Sequence, residues 1–176
     1  ARADYDQAIK LREERAVTPE DLSAVWYNRR ANLSYALVTY SYTDTEQIED
    51  SKRRALDDYR EATEVDPLER EWWDDWINVA HEWRDHAQEI EAYRQMALRG
   101  STAWRDDAYW HLGWLAYLYQ RDYEQSLAYS AEALALNPDL SAVHWNEGLV
   151  YVVLGDVESA VQSYLNGIEA ADRTGV

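Results

Sequence analysis

Residues of the same character return every 34 or 35 positions along this chain. Tyr59 is followed by Tyr93, Ala62 by Met96 and Ala133 by Gly167, each 34 residues on, and Gly113 by Gly148 after 35. Pro67 and Pro138 stand 71 apart, close to two periods. A fixed interval of this size marks a chain of stacked units, each burying its apolar face only against its neighbours. A helix pair repeating at this interval needs small residues where its helices cross. It also needs aromatics between pairs and a turn breaker at the end.

Cap and turn signals divide the chain into about nine helices. The first is expected over Tyr5–Val17. Thr18-Pro19-Glu20-Asp21 then reads as an N-cap, a first-turn proline and acids that favour a helix N-terminus. The second helix spans Pro19–Tyr40. Thr43 and Glu46 have capping-box spacing ahead of the third, which Asp66-Pro67 stops. Trp72–Trp83 and His86–Leu98 follow, with a tight join at Arg84-Asp85. Arg99-Gly100-Ser101-Thr102 reads as a C-terminal glycine and a fresh N-cap. Thr102–Tyr119, Tyr123–Leu136, Ser141–Leu154 and Val157–Ala171 complete the series. Six glycines and three prolines are too few for a β-sandwich of 176 residues.

The spacing resembles the tetratricopeptide repeat, whose pattern is W-x2-L-G-x2-Y, then A-x3-F-x2-A, then P. The last repeat shows Gly148, Tyr151, Gly155-Asp156, Ala160, Tyr164 and Gly167 in register, with His144 at the Trp position and Glu147 at the Leu position. The preceding repeat shows Tyr109, Leu112-Gly113, Ala133 and Pro138. It has Ser126 and Ser130 in its second helix and one residue inserted near Gln120-Arg121. Ala55, Tyr59, Ala62 and Pro67 fit a second-helix half, after a first helix about a dozen residues too long. Over Trp72–Gly100 the fit is loose, with either Trp73 or Trp76 at the Trp position. Tyr5-Asp6-Gln7-Ala8-Ile9 resembles the opening of an unpaired second helix. The resemblance implies an all-α, right-handed α-solenoid of antiparallel helix pairs. It would form a single repeat domain over 1–176, about four and a half pairs, as a segment of a longer protein or array. Open ends that pair in a homo-oligomer are the other reading of its unpaired terminal helices.

Nucleic acid or an anionic membrane requires a basic patch, and the chain, of net charge −17, offers only Lys52-Arg53-Arg54 and Arg29-Arg30, short runs set among acids. That charge suits a basic protein partner, whose encounter it would speed. Simple solubility and adaptation to salt, with Lys10 and Lys52 the only lysines, are the other readings. The absence of cysteine excludes disulfides and thiolate metal sites. No apolar run reaches the roughly 18 residues of a membrane span. The compartment is left open between cytoplasmic and extracytoplasmic.

No catalytic constellation stands out, so the chain reads as non-enzymatic. A G-x-S-x-G elbow and a phosphate-cradling glycine loop are both lacking. His81 and His86 are one residue too far apart for H-E-x-x-H, and the extra step should turn the second ring away. Neither a metal nor another cofactor is expected. Asp57-Asp58, Asp74-Asp75 and Asp106-Asp107 read as solvated helix faces or first-turn acids.

The aromatic residues carry the functional expectation. There are 9 Trp, 14 Tyr and no Phe. Trp110, Trp114 and Tyr117 fall at i, i+4 and i+7 on one helix face, and Trp145 repeats Trp110. The resemblance implies that this face lines a concave groove where partners bind. Leu112-Gly113 and Gly148 would face the partner helix instead. Asn78 and His81 join the wall if Trp73 holds the register. The wall would anchor an apolar or basic side chain of a partner protein. Two alternatives stay open: a small-molecule or glycan-binding sensor that stacks ligands on Trp and Tyr, and plain core packing of the same rings.

Overall fold

A computed structural model describes Gln7 and residues 23–40 and 45–175. The expected Tyr5–Val17 helix, the Thr18–Asp21 cap and Thr43 lie outside the described residues. Among those residues there are eight α-helices and no strand. They are α1 (Ala24–Tyr40), α2 (Thr45–Val65), α3 (Arg70–Glu82), α4 (His86–Arg99), α5 (Arg105–Leu115), α6 (Tyr123–Leu136), α7 (Ser141–Leu154) and α8 (Val157–Thr174). The chain divides into two compact units, 1–92 and 93–176, with the boundary inside α4.

The first unit is held by α1 against α2 and α2 against α3. Ala24, Ala62 and Trp72 pack into one apolar cluster with Tyr27 and Val65. Polar groups cross these helices as well. Arg30 meets the buried Asp58 through both ends of its guanidinium, with Nε donating to Oδ2 at 2.7 Å. The Tyr59 hydroxyl donates to Asn32 at 2.7 Å, Asn32 to Asn28 at 2.7 Å and Asn28 to Asp75 at 2.6 Å. This relay links all three helices. Asp58 and Asp75 are therefore not the solvated acids that the sequence suggests. An opposing helix, out of reach of any local pattern, supplies their partners. Burial pushes the Tyr59 phenol well above its ordinary range, and the Asp75 charge adds to the shift.

The second unit packs α5 on α6, α6 on α7 and α7 on α8. Small residues set these approaches. A Cβ on Gly113 would lie 3.3 Å from the Ser126 carbonyl oxygen, and the Ser126 hydroxyl donates to the Gly113 carbonyl at 2.8 Å. A Cβ on Gly148 would sit 2.8 Å from the Tyr164 ring. The motif's small positions thus face the partner helix, as the resemblance implies.

The turns that precede α4, α6 and α8 share one design. Arg84, Arg121 and Gly155 are left-handed, with φ of 57°, 53° and 78°. An aspartate follows each. Asp85, Asp122 and Asp156 accept from the backbone N–H three residues on, at 3.2, 3.0 and 3.0 Å. This is N-capping that satisfies an otherwise orphaned donor. The Ser159 hydroxyl also donates to Asp156, and these bonds hold its carboxyl below the usual range.

The expected Thr102–Tyr119 helix is less regular than its sequence implies. Thr102–Trp104 forms a 3₁₀ turn capped by Ser101, α5 follows, and Ala116–Gln120 is π-helical. The π turn absorbs the extra residue near Gln120-Arg121. Widening one turn takes in an insertion without rotating the helix that follows.

Candidate functional site

The face expected to bind a partner lies on α5 and α7, both in the second unit. Trp110, Trp114 and Tyr117 are half-buried along α5 and its π-helical extension. The Trp114 and Tyr117 rings lie 5.6 Å apart, and Tyr117 continues to Tyr123 of α6 at 6.0 Å. Trp110 packs against His111 at 4.6 Å, and His111 stacks on Tyr93 at 4.5 Å. The Trp110 indole N–H is buried with no hydrogen-bond partner.

Trp145 of α7 is 41% exposed. Its position is set by Gly167 of α8, since a Cβ there would come within 2.4 Å of indole Nε1 and Cδ1. The missing side chain makes room for the ring. On this helix the tryptophan spacing marks Trp145 alone. Adding 35 to Trp114 and Tyr117, as to Trp110, gives Leu149 and Val152, and both are exposed. Trp145, Leu149 and Val152 therefore repeat on α7 the i, i+4, i+7 stripe of α5. The signal was present in the period, but aliphatic residues look like core until their exposure is known.

Beside the stripe, His144 and Glu147 hold the Trp and Leu positions of the last repeat. His144 Nδ1 lies 3.5 Å from Glu147 Oε2, with both side chains largely enclosed. Burial raises the Glu147 carboxyl above its ordinary range, more than the neighbouring His144 lowers it.

Asn78 and His81 lie on α3, in the first unit, and both are exposed. The turn geometry resolves their register. His144 stands 11 residues before the left-handed Gly155, and Trp73 stands 11 before the left-handed Arg84. Trp73 therefore occupies the Trp position. It is fully buried and its indole donates to the Pro67 carbonyl at 3.0 Å. Asn78 and His81 then correspond to Trp114 and Tyr117 of the second unit.

The helix break at Arg84-Asp85 brings His81 and His86 together instead of turning them apart. Their Nδ1 atoms lie 2.9 and 3.0 Å from the two oxygens of the buried Glu89. Among the described residues, no three His, Cys, Asp or Glu side chains form a group that could hold a metal ion. Among the same residues, no helix is long and apolar enough to cross a membrane.

Paired helices, small residues at their crossings and a left-handed turn before each capping aspartate define a helix-pair repeat protein. Residues 106–140 match the tetratricopeptide repeat family, and the fold of the chain is that of tetratricopeptide-repeat proteins. A crystal structure of MamA has a TM-score of 0.59 at 12% identity, covering 85% of this chain and 91% of that one. A second MamA crystal structure covers 99% of this chain and 93% of its own, with a TM-score of 0.57 at 13% identity. PilF from Pseudomonas aeruginosa is similar over 96% of this chain and 70% of its own, with a TM-score of 0.55 at 19% identity. No curated protein matches the sequence.

Proposed function

We propose that the chain is a non-catalytic protein-interaction module that receives a segment of a partner protein on the stripe of α5 and α7. Trp110, Trp114, Tyr117 and Trp145 are its anchors, extended by Leu149 and Val152. Asn78 and His81 are the corresponding contact residues of the first unit. The observation that carries this reading is the repetition of one apolar stripe, in one register, on two successive first helices of the repeats. A core-facing set has no reason to stay accessible in both. Large rigid rings at partly exposed positions give much contact area for little lost side-chain entropy. The whole of 1–176 acts as one repeat domain within a larger assembly.

The partner segment is apolar where it meets the rings and basic around them, to complement the charge of −17. Its affinity falls as salt rises, because exposed charges are screened beyond about 8–10 Å at physiological ionic strength.

The test is affinity capture from cells that make the protein, comparing the native chain with the Trp110, Trp114, Trp145 triple alanine variant. A protein held by the native chain and lost by the folded variant supports the reading. Equal recovery of the same proteins by both would refute the placement. If neither captures a protein and a sugar or metabolite raises the melting temperature, the sensor reading replaces it.

A further inference from the structure

His144 stands one residue before Trp145, and both nitrogens of its ring have a fixed role. Nε2 lies 3.3 Å from the Pro138 carbonyl oxygen. A carbonyl only accepts, so Nε2 carries a proton and donates it. In the neutral ring Nδ1 is then a lone pair. It is buried, makes no other hydrogen bond, and faces Glu147 Oε2 at 3.5 Å. The two side chains are only 12% and 17% exposed.

A lone pair and a carboxylate oxygen are both acceptors. They satisfy each other only with one proton between them, carried on Oε2 toward Nδ1 or on Nδ1 toward Oε2. The pair therefore titrates as a unit. Loss of that proton leaves a lone pair facing a charge in an enclosed place, which is costly.

No other charge takes over this balance. From α8, Tyr164 is the titratable group against α7, and it lies on Gly148. From α6, Glu124 and Glu132 are both exposed. Arg105, Asp106, Asp107 and His111 stand on α5, and Asp139 of the preceding loop is bound to Arg173 at 2.7 Å. None acts on Glu147, whose carboxyl is raised by burial and lowered less by His144.

The pair sits between the two glycine seats of α7 on α8. At one, Gly167 makes room for the Trp145 ring, and a Cβ there would lie 3.4 Å from His144 Cβ. At the other, Gly148, next to Glu147, lies under the Tyr164 ring. Once the proton leaves, one of the two side chains turns to water, and α7 shifts on its seats to release it. Trp145, packed on Gly167, shifts with it.

We infer that His144 and Glu147 form a proton-operated latch that sets the position of Trp145. The latch is closed while the pair shares a proton and opens as rising pH removes it. Its use as regulation of the stripe rests on the partner-binding reading above.

The experiment uses the full chain with 15N in histidine and tryptophan, followed by NMR from about pH 4 to 9, a span that brackets ordinary carboxyl and imidazole titration. His144→Gln and Trp145→Phe assign the two signals. His144 Nε2 stays protonated throughout, Nδ1 shows the titration step, and the Trp145 indole signal shifts with the same midpoint. Glu147→Gln, whose amide N–H donates to Nδ1 at every pH, holds the Trp145 signal at its low-pH position. A Trp145 signal that stays flat through the His144 step would overturn the latch. So would a lone pair on Nε2 in place of Nδ1, or a Trp145 shift that persists unchanged in Glu147→Gln. The native titration decides the matter even if that variant fails to fold. No partner enters these spectra, so failure of the latch and failure of the partner-binding reading are told apart.

Discussion

The α1–α2 pair of the first unit and the α7–α8 pair of the second are both antiparallel, but different chemistry holds them. Across α1 and α2 run a two-pronged Arg30–Asp58 ion pair and the Tyr59–Asn32–Asn28 relay that ends on Asp75. Across α7 and α8 the close approaches are made by glycine under an aromatic ring, Gly148 beneath Tyr164 and Gly167 beneath Trp145. The first kind of interface tolerates changes of size poorly and loss of a charge worse. The second is sensitive to a single methyl group. A repeat fold thus fixes the spacing of its helices and leaves open how each crossing is filled.

The largest effect expected from breaking this contrast is in the first unit. Asp58→Ala leaves the Arg30 guanidinium without its buried carboxylate and should cost about 3–5 kcal/mol, read by urea denaturation. A cost below about 1 kcal/mol would mean that water takes the place of the pair. In the second unit, Gly148→Ala pushes the Tyr164 ring off its seat and should cost about 1–3 kcal/mol. A neutral outcome would show that the ring yields freely.

Glu147 allows a test by pH. Its folded carboxyl holds its proton more tightly than an exposed one, so ionisation opposes folding. Stability from this group is full below the ordinary carboxylate range and lost as pH rises through the folded value. Glu147→Leu, which restores the family residue, should therefore stabilise by about 1 kcal/mol at pH 7 and by less at pH 4. An equal gain at both values would assign the effect to packing alone.

The smallest effect concerns the turns. Arg121 adopts a conformation that costs an L-residue roughly 1 kcal/mol and glycine little. Arg121→Gly should raise stability by up to about 1 kcal/mol, while Gly155→Arg should lower it by a similar amount. A loss on Arg121→Gly would point to a contact made by the arginine side chain.

Much of the fold was legible because its punctuation is local. Tyr123–Leu136 and Ser141–Leu154 fall where the sequence places them, since Asp122, Pro138 and Gly155 announce their ends. The one-residue insertion was also visible. Its π-helical form was not, because no residue type marks such a turn. The buried acids were misread for a different reason. Asp58 sits in a run of charges typical of an exposed face, and its partner Arg30 lies 28 residues away on another helix. The stripe on α5 was readable through its tryptophans. Its continuation at Leu149 and Val152 uses residues that a sequence assigns to a core by default.

The role of this face rests on whether the rings of α5 anchor a partner. The direct measurement is the dissociation constant of a captured partner segment for the native chain and for Trp114→Ala, with folding checked for both. An anchoring ring predicts a loss of about 1–3 kcal/mol, roughly 5- to 150-fold weaker binding. Unchanged affinity in a folded Trp114→Ala chain would contradict it and move the contact off this face.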